Sequence, residues 1–281
     1  MSAKIGFGGG ICGALSAVVL FAASASAAPA NDDFADARIA PLGVELTGTI
    51  KGATKQRGEP RHANSLASRS VWYRFTTAHK TTVVFQTCES RLNTVIAVYS
   101  GRSLRSLRAV DYNNDGCPTV GLGSRVAFTA GPGRTYRIAV AAFQPKGRFT
   151  LAVRRLNAPP NDDFRDAAPV SPRSAVRGTL RNSTRELHEP NGSYFAETRT
   201  VWFRLRVRSR TRITVHVCSD AGSVGVVVYT GRRLSRLRQI GPNFRCAVTF
   251  TATAGVVYRV QVGTDTYRGA HPFILRTLVA P

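Results

Sequence analysis

Acidic side chains are scarce in this 281-residue chain. It has 16 Asp and Glu against 39 Lys and Arg, a formal net charge of +23. Divided near Asn157, each half after residue 27 carries 19 basic and 8 acidic residues. Most of the basic residues are Arg. GC-rich codon usage accounts for Arg over Lys but not for the shortage of acids. A surface so charged attracts polyanions: phosphate polymers, acidic polysaccharide or nucleic acid. Long apolar runs are also missing. The one such stretch, residues 11–21, is short and preceded or broken by Gly8, Gly9, Gly10 and Gly13. That excludes a permanent helical span. With Lys4 before it and Ala25-Ser26-Ala27 after it, the segment reads as a signal peptide over 1–27. The expectation is an exported protein, secreted or associated with the cell envelope.

Cysteines are few. Cys12 leaves with the signal peptide, and Cys88, Cys117, Cys218 and Cys246 remain. Without a Cys-x-x-Cys pair or a His-Cys cluster, a zinc site fails on spacing. An even number in an exported chain suggests disulfides. Recognised catalytic motifs are missing as well. There is no Gly-x-Ser-x-Gly elbow, no His-Glu-x-x-His helix and no phosphate-binding loop. His62, His79, His188, His216 and His271 do not recur at matching places. The chain therefore reads as a non-enzyme without catalytic residues.

What the chain does have, it has twice. Asn31-Asp32-Asp33-Phe34 returns as Asn161-Asp162-Asp163-Phe164, and Val71-Trp72 returns as Val201-Trp202. Tyr99-Ser100-Gly101-Arg102 returns as Tyr229-Thr230-Gly231-Arg232, and each pair is offset by 130 residues. That period is a whole domain rather than a solenoid unit. The expected organisation is one module over 28–157 and a second over 158–281. The repeat also selects the simplest disulfide pairing, Cys88–Cys117 and Cys218–Cys246, one bridge per module. The offset falls to 122 by Val248, so the second copy is shorter around its second cysteine.

Each module reads as short strands. Val71 to Phe75 alternates, with Val71, Tyr73 and Phe75 on one face. Residues 82–87, 94–99, 125–129, 135–140 and 148–153 are rich in Val, Ile, Thr, Phe and Tyr. The second copy repeats the pattern at 201–205, 213–217, 225–229, 247–251, 257–262 and 272–276. Gly, Asn and Pro turns separate them, which predicts an all-β fold: two tandem β-sandwiches. Trp72 and Trp202 are expected core anchors. Asn-Asp-Asp before Phe-x-Asp-Ala predicts a short helix with an N-cap, and a calcium site on Asp32 and Asp33 is the competing reading.

Two segments stand out as candidate sites. Asp111, Asn113 and Asp115, followed by Gly116, match the first half of a calcium loop, with oxygen ligands at alternate positions. The same residues suit a turn pinned by a disulfide. Calcium is the candidate cofactor, confined to the first module because Gly241 to Arg245 lacks the pattern. The other segment is Arg204, Arg206, Arg208, Arg210 and Arg212, an alternating stripe that would wrap a hairpin. The first module matches it only with Arg74 and Lys80. The stripe is either a polyanion-binding patch or a solvated sheet face. No aromatics interleave with it, so a stacking platform for single-stranded nucleic acid is not supported, and with export no nucleic acid is the expected partner.

The series Asn31-Asp32-Asp33-Phe34, Gly58-Glu59-Pro60, Ser70 to Thr76, Asn93 to Gly101 and Asn113 to Cys117 resembles the bacterial pre-peptidase C-terminal domain. So does the closing piece, Ser124 to Ala130 followed by Thr135 to Val140. The resemblance covers nearly all of the chain after the signal peptide, twice. It implies a jelly-roll-like sandwich of about eight strands per module and a non-catalytic role on a secreted protein. Some members of that family bind calcium, and some are linked to substrate or matrix binding. The expected function is a secreted binding or adhesion protein that contacts an anionic polymer or glycan. A purely structural envelope protein and an unrecognised hydrolase are the alternatives.

Overall fold

The computed structural model describes residues 27–117, 122–190, 199–218, 224–241, 246–264 and 271–280. Residues 1–26, within the segment read as a signal peptide, lie outside the described residues. Nine strands come from the first repeat: β1 (Arg38–Ile39), β2 (Glu45–Thr49), β3 (Arg69–Thr76), β4 (Thr81–Gln86), β5 (Thr94–Ser100), β6 (Arg108–Asn114), β7 (Arg125–Ala130), β8 (Thr135–Ala142) and β9 (Arg148–Arg155). They build a five-stranded sheet, β1-β3-β8-β5-β6, and a four-stranded sheet, β2-β9-β4-β7. The second repeat supplies β10 (Ala168–Val170), β11 (Ser174–Thr179), β12 (Arg199–Leu205), β13 (Thr211–Cys218), β14 (Val224–Thr230), β15 (Arg238–Ile240), β16 (Ala247–Ala252), β17 (Tyr258–Thr264) and β18 (Pro272–Val279). Its sheets, β10-β12-β17-β14-β15 and β11-β18-β13-β16, reproduce the first pair strand for strand. Among the described residues no strand of one repeat enters a sheet of the other. The fold is all-β, two tandem sandwiches.

Alternation explains the packing. Val71, Tyr73 and Phe75 of β3 point between the two sheets and meet Val83, Phe85 and Phe128 of the facing sheet. Trp72 points the other way, yet it is fully buried. It packs on the outer face of the five-stranded sheet with Phe34, Ala37, Ala97, Tyr99 and Ala139. Both faces of β3 and β5 are therefore covered, which is why Thr94 to Tyr99 is an unbroken buried run. Trp202 repeats the arrangement with Phe164, Val227 and Tyr229.

The Asn-Asp-Asp-Phe segment is the clamp for this outer layer. In the first repeat it forms turns and no helix. In the second it leads into a single 3-10 turn, Phe164–Asp166, whose N-cap Asp163 makes no side-chain cap bond. The expected N-cap is replaced by longer-range bonds. Asn31 Nδ2 donates to the Trp72 carbonyl at 2.9 Å, and the Trp72 amide donates back to the Asn31 carbonyl at 2.8 Å. Asp32 accepts from the Thr54 amide at 2.7 Å and hydroxyl at 2.8 Å. Asn161, Trp202, Asp162 and Thr184 make the same set. Both Asp32 oxygens are thus engaged by Thr54 rather than turned with Asp33 toward a cation.

Cys88 and Cys117 form a disulfide that closes a separation of 29 residues. The predicted partner bridge, Cys218–Cys246, is not formed: Cys246 is a free, exposed thiol. The Cys218 side chain lies outside the described residues. Register gives the reason. The Val217 amide donates to the Cys246 carbonyl at 2.7 Å, as the Thr87 amide does to Ser124 at 2.9 Å. Cys246 therefore occupies the ladder position of Ser124, not that of Cys117. Shortening the loop before β16 pulled the cysteine into the start of a strand.

Candidate anion-binding cleft

The first repeat carries a cleft of 1380 Å³ at the open side of its sandwich. Its walls are the edge strands of the two sheets, β1 and β2, together with β3, the turn before β9 and the segment after residue 27. Two short edge strands leave this side open, and Arg38 Nη1 bridges it by donating to the Thr47 carbonyl at 3.2 Å. Five cations line the cleft: Arg38, Lys51, Arg74, Lys146 and Arg148. All five are exposed. Asp36 is the single acid among the lining residues. Thr47 adds a hydroxyl, and Ile39, 56% exposed, adds an apolar contact. Behind Arg74, Arg137 stacks over the Phe34 ring at 4.4 Å. Burial and then the Arg74 charge hold its guanidinium below its ordinary pKa. Such a surface supplies several charge-assisted donors along one groove and no nucleophile poised beside a base.

The second repeat does not carry the same set of cations. Strand pairing equates Arg38 with Ala168 and Arg148 with Pro272. Arg204 and Arg181 stand in for Arg74 and Lys51. Of the five cations the sequence analysis named only Arg74, as the counterpart of Arg204, because the five come from four separate segments with no shared period. The only sequence signal of the other four was the basic excess itself.

The residues singled out by the sequence fare differently. Arg204, Arg206, Arg208, Arg210 and Arg212 are all exposed, with Leu205 and Val207 buried between them. They do not share a face, and no hairpin forms. β12 pairs with β10 and β17, whereas β13 pairs with β16 and β18. The chain crosses from one sheet to the other, so Arg204 and Arg212 lie on opposite outer faces.

Asp111, Asn113 and Asp115 do not form a calcium loop. Asp111 and Asn113 belong to strand β6, and Asp115 follows it in a left-handed turn at φ 63°. Four residues of extended chain span about 13 Å, far beyond the roughly 5 Å across two ligands of one calcium ion. Asn113 Oδ1 instead accepts from the Arg125 amide at 3.1 Å. A Cβ at Gly116 would meet that oxygen at 2.2 Å, so the glycine is there for the turn. No cluster of three His, Cys, Asp or Glu suited to a metal exists among the described residues.

One buried constellation combines Ser, His and Glu. Glu59 Oε1 accepts from Ser70 Oγ and lies 2.9 Å from His62 Nε2, while His62 Nδ1 meets the Tyr99 hydroxyl at 2.8 Å. It is sealed under the outer layer: Glu59, His62, Ser70 and Tyr99 are at most 8% exposed. No substrate reaches it. Burial alone would raise the Glu59 pKa, but the bonds from His62 and Ser70 hold it below the usual carboxylate value. In the second repeat Glu189 receives Thr200 Oγ1 at 2.5 Å, Gln261 Nε2 at 3.0 Å and Trp202 Nε1 at 3.2 Å. Without a histidine beside it, burial prevails and the Glu189 pKa is raised.

The two repeats meet through Lys80. Its Nζ pairs with Asp163 at 3.2 Å and with Asp166. Beside this pair lies a cleft of 550 Å³ between Asp111, Phe128 and Arg134 on one side and Asp163, Arg165 and Glu186 on the other. Burial raises the Asp111 pKa to about 7, opposed by its bond from the Tyr112 amide and by Arg185. Burial also raises Glu186 to about 8 and Asp162 to about 7. Much of the chain's small stock of acid is gathered at and behind this junction.

No helix of the described residues is long and apolar enough to cross a membrane. No protein-family model and no curated protein matches the chain. Among solved structures it is similar to the pre-peptidase C-terminal domain of a collagenase from Bacillus anthracis. That likeness has 17% identity and a TM-score of 0.29, over 42% of this chain and 93% of the other. It is also similar to the N-terminal CBM22 tandem of Xyn10C from Paenibacillus barcinonensis. There the identity is 12% and the TM-score 0.25, over 85% of this chain and 92% of the other. Likenesses of this strength are set down as similarities and carry no functional argument.

Proposed function

We propose that the protein is an exported, non-catalytic binding protein that holds an anionic polymer or acidic glycan in the cleft of its first repeat. The observation that carries this reading is the convergence of Arg38, Lys51, Arg74, Lys146 and Arg148 on one concave surface with Asp36 as the only acid. A long polyanion releases its counterions when cations of a groove replace them, so affinity falls steeply with salt. The arginines of the second repeat add long-range attraction but are spread around the sandwich. Their role is to raise the local concentration of polymer rather than to grip it.

The test is salt elution from immobilised heparin and from a wall phosphate polymer. Lys146→Glu with Arg148→Glu changes net charge by the same amount as Arg206→Glu with Arg208→Glu. The cleft pair should elute at clearly lower salt than the other pair, with unchanged melting temperature for both. Equal elution of the two double variants would show that net charge alone governs retention, and the cleft would lose its role.

A further inference from the structure

We infer that this chain assembles head to tail with further copies of itself, through Arg210 of one copy and the Asp33–Asp36 turn of the next. The inference comes from the junction between the repeats. Lys80, in the turn between β3 and β4, pairs with Asp163 and Asp166, in the opening turn of the second repeat. These two faces are unlike, so the contact is heterologous. Each repeat carries both faces, but only one of each is used inside the chain. The other cation face is left at the far end of the second repeat, and the other acid face at the near end of the first.

The 130-residue offset identifies the unused halves. Lys80 corresponds to Arg210, and Asp163 and Asp166 correspond to Asp33 and Asp36. Arg210, Asp33 and Asp36 are all exposed. The used and the unused copies share the hydrogen bonds of these turns, although only the second repeat's acid segment closes into a 3-10 turn. The Thr81 hydroxyl donates to the His79 carbonyl at 2.9 Å beside Lys80, and the Thr211 hydroxyl to the Ser209 carbonyl at 3.0 Å beside Arg210. The Asp166 amide donates to the Asp163 carbonyl at 2.9 Å, and the Asp36 amide to the Asp33 carbonyl at 3.0 Å. The two ends therefore present the same complementary charges on the same turns as the junction already formed. Repeating one rotation between unlike faces builds a ring if it closes and an open filament if it does not.

The ends are not perfect copies of the junction. Asp111 is replaced by Gly241, Glu186 by Gln56 and Arg185 by the exposed Lys55. The carboxylates beside the ion pair are thus lost, while Arg208, Arg212, Lys55 and Arg57 add like charge at the two ends. The contact between copies is weaker than the contact within the chain: an exposed ion pair contributes little by itself, so the facing turns supply the rest of the contact and it forms only as protein concentration rises.

Sedimentation velocity on the mature chain without any polymer tests this; Asp36 also lines the cleft, and leaving the polymer out keeps failure of the assembly distinguishable from failure of the cleft reading. The wild type should show an average mass that climbs beyond one chain across a concentration series. Arg210→Glu and the double variant Asp33→Lys, Asp36→Lys should each stay at the mass of one chain, with unchanged circular dichroism and melting temperature. Mixing the two variants should restore a complementary contact at both ends, so the mixture associates in alternating order as the wild type does. A wild type that remains one chain at every concentration, variants that associate as the wild type does, or a mixture that stays unassociated would each overturn the proposal.

Discussion

A single glutamate, used twice, shows how much one neighbour decides. Glu59 and Glu189 end the same kind of turn and are both buried, Glu189 the more deeply. Glu59 has His62 beside it and is held as a carboxylate. Glu189 has Gln261, Thr200 and Trp202, and burial pushes it toward the acid form. The signs of their linkage to stability are opposite. For Glu59, with a lowered folded pKa, the contribution is present above the ordinary carboxylate value. It is lost as pH falls through the folded pKa. For Glu189, Asp162 at about 7 and Glu186 at about 8, the contribution is complete at acid pH and lost as pH rises toward 8. Each repeat holds one tryptophan, so Trp202→Phe isolates the first repeat's fluorescence and Trp72→Phe the second's. The second repeat should lose stability between about pH 5 and pH 8, whereas the first should lose it on acidification through Glu59 and, as pH rises toward 7, only through Asp111. Glu189→Gln should flatten the alkaline loss. Parallel pH profiles for the two repeats would contradict the assignment. The motif of Asn31 and Asp32 was legible in the sequence as a polar signature. Its partners, Trp72 and Thr54, were not, because the bonds reach across 41 and 22 residues.

Among elements, the strands with strong alternation or unbroken β-branched runs were legible. β3, β4, β5, β7, β8 and β9 fall within two residues of the expected spans. The edge strands β1, β2 and β6 were not read. Glu45 to Thr49 and Arg108 to Asn114 are polar, and one side of an edge strand meets water. The arginine stripe shows the limit of period alone. Alternation correctly exposes every arginine, but it does not reveal that β12 and β13 belong to different sheets. The cysteines make the same point. Closing a 29-residue separation by Cys88–Cys117 should stabilise the first repeat by about 3–4 kcal/mol through loop entropy. Replacing both by Ser should therefore lower its denaturation midpoint markedly. Cys246→Ser should change stability by less than about 0.5 kcal/mol, and a thiol reagent should label Cys246 in the folded protein. Failure to label it would mean that it is bonded after all.

For the whole molecule, charge and duplication act together. A net charge of +23 spread over both halves opposes compaction and self-contact, yet the junction gathers carboxylates against Lys80 and Arg185. Lys80 is 42% exposed at its side chain, so its pairs contribute under about 1 kcal/mol. Their effect is orientation rather than fold stability. Lys80→Glu should leave the melting of both repeats unchanged and widen the distribution of inter-repeat distances in small-angle scattering. An unchanged scattering curve would show that the surrounding surfaces fix the angle without the ion pair.

The sequence by itself determined the duplication, the all-β class, the six stronger strands of each repeat and the basic character, because period and composition are local properties of the chain. Tertiary structure alone decided which cations meet in a cleft, which face each arginine joins, that Cys246 takes the place of Ser124, and that Lys80 finds its acids in the other repeat. All four depend on strand pairing and sheet crossing between segments far apart in the chain, and no local pattern encodes those distances.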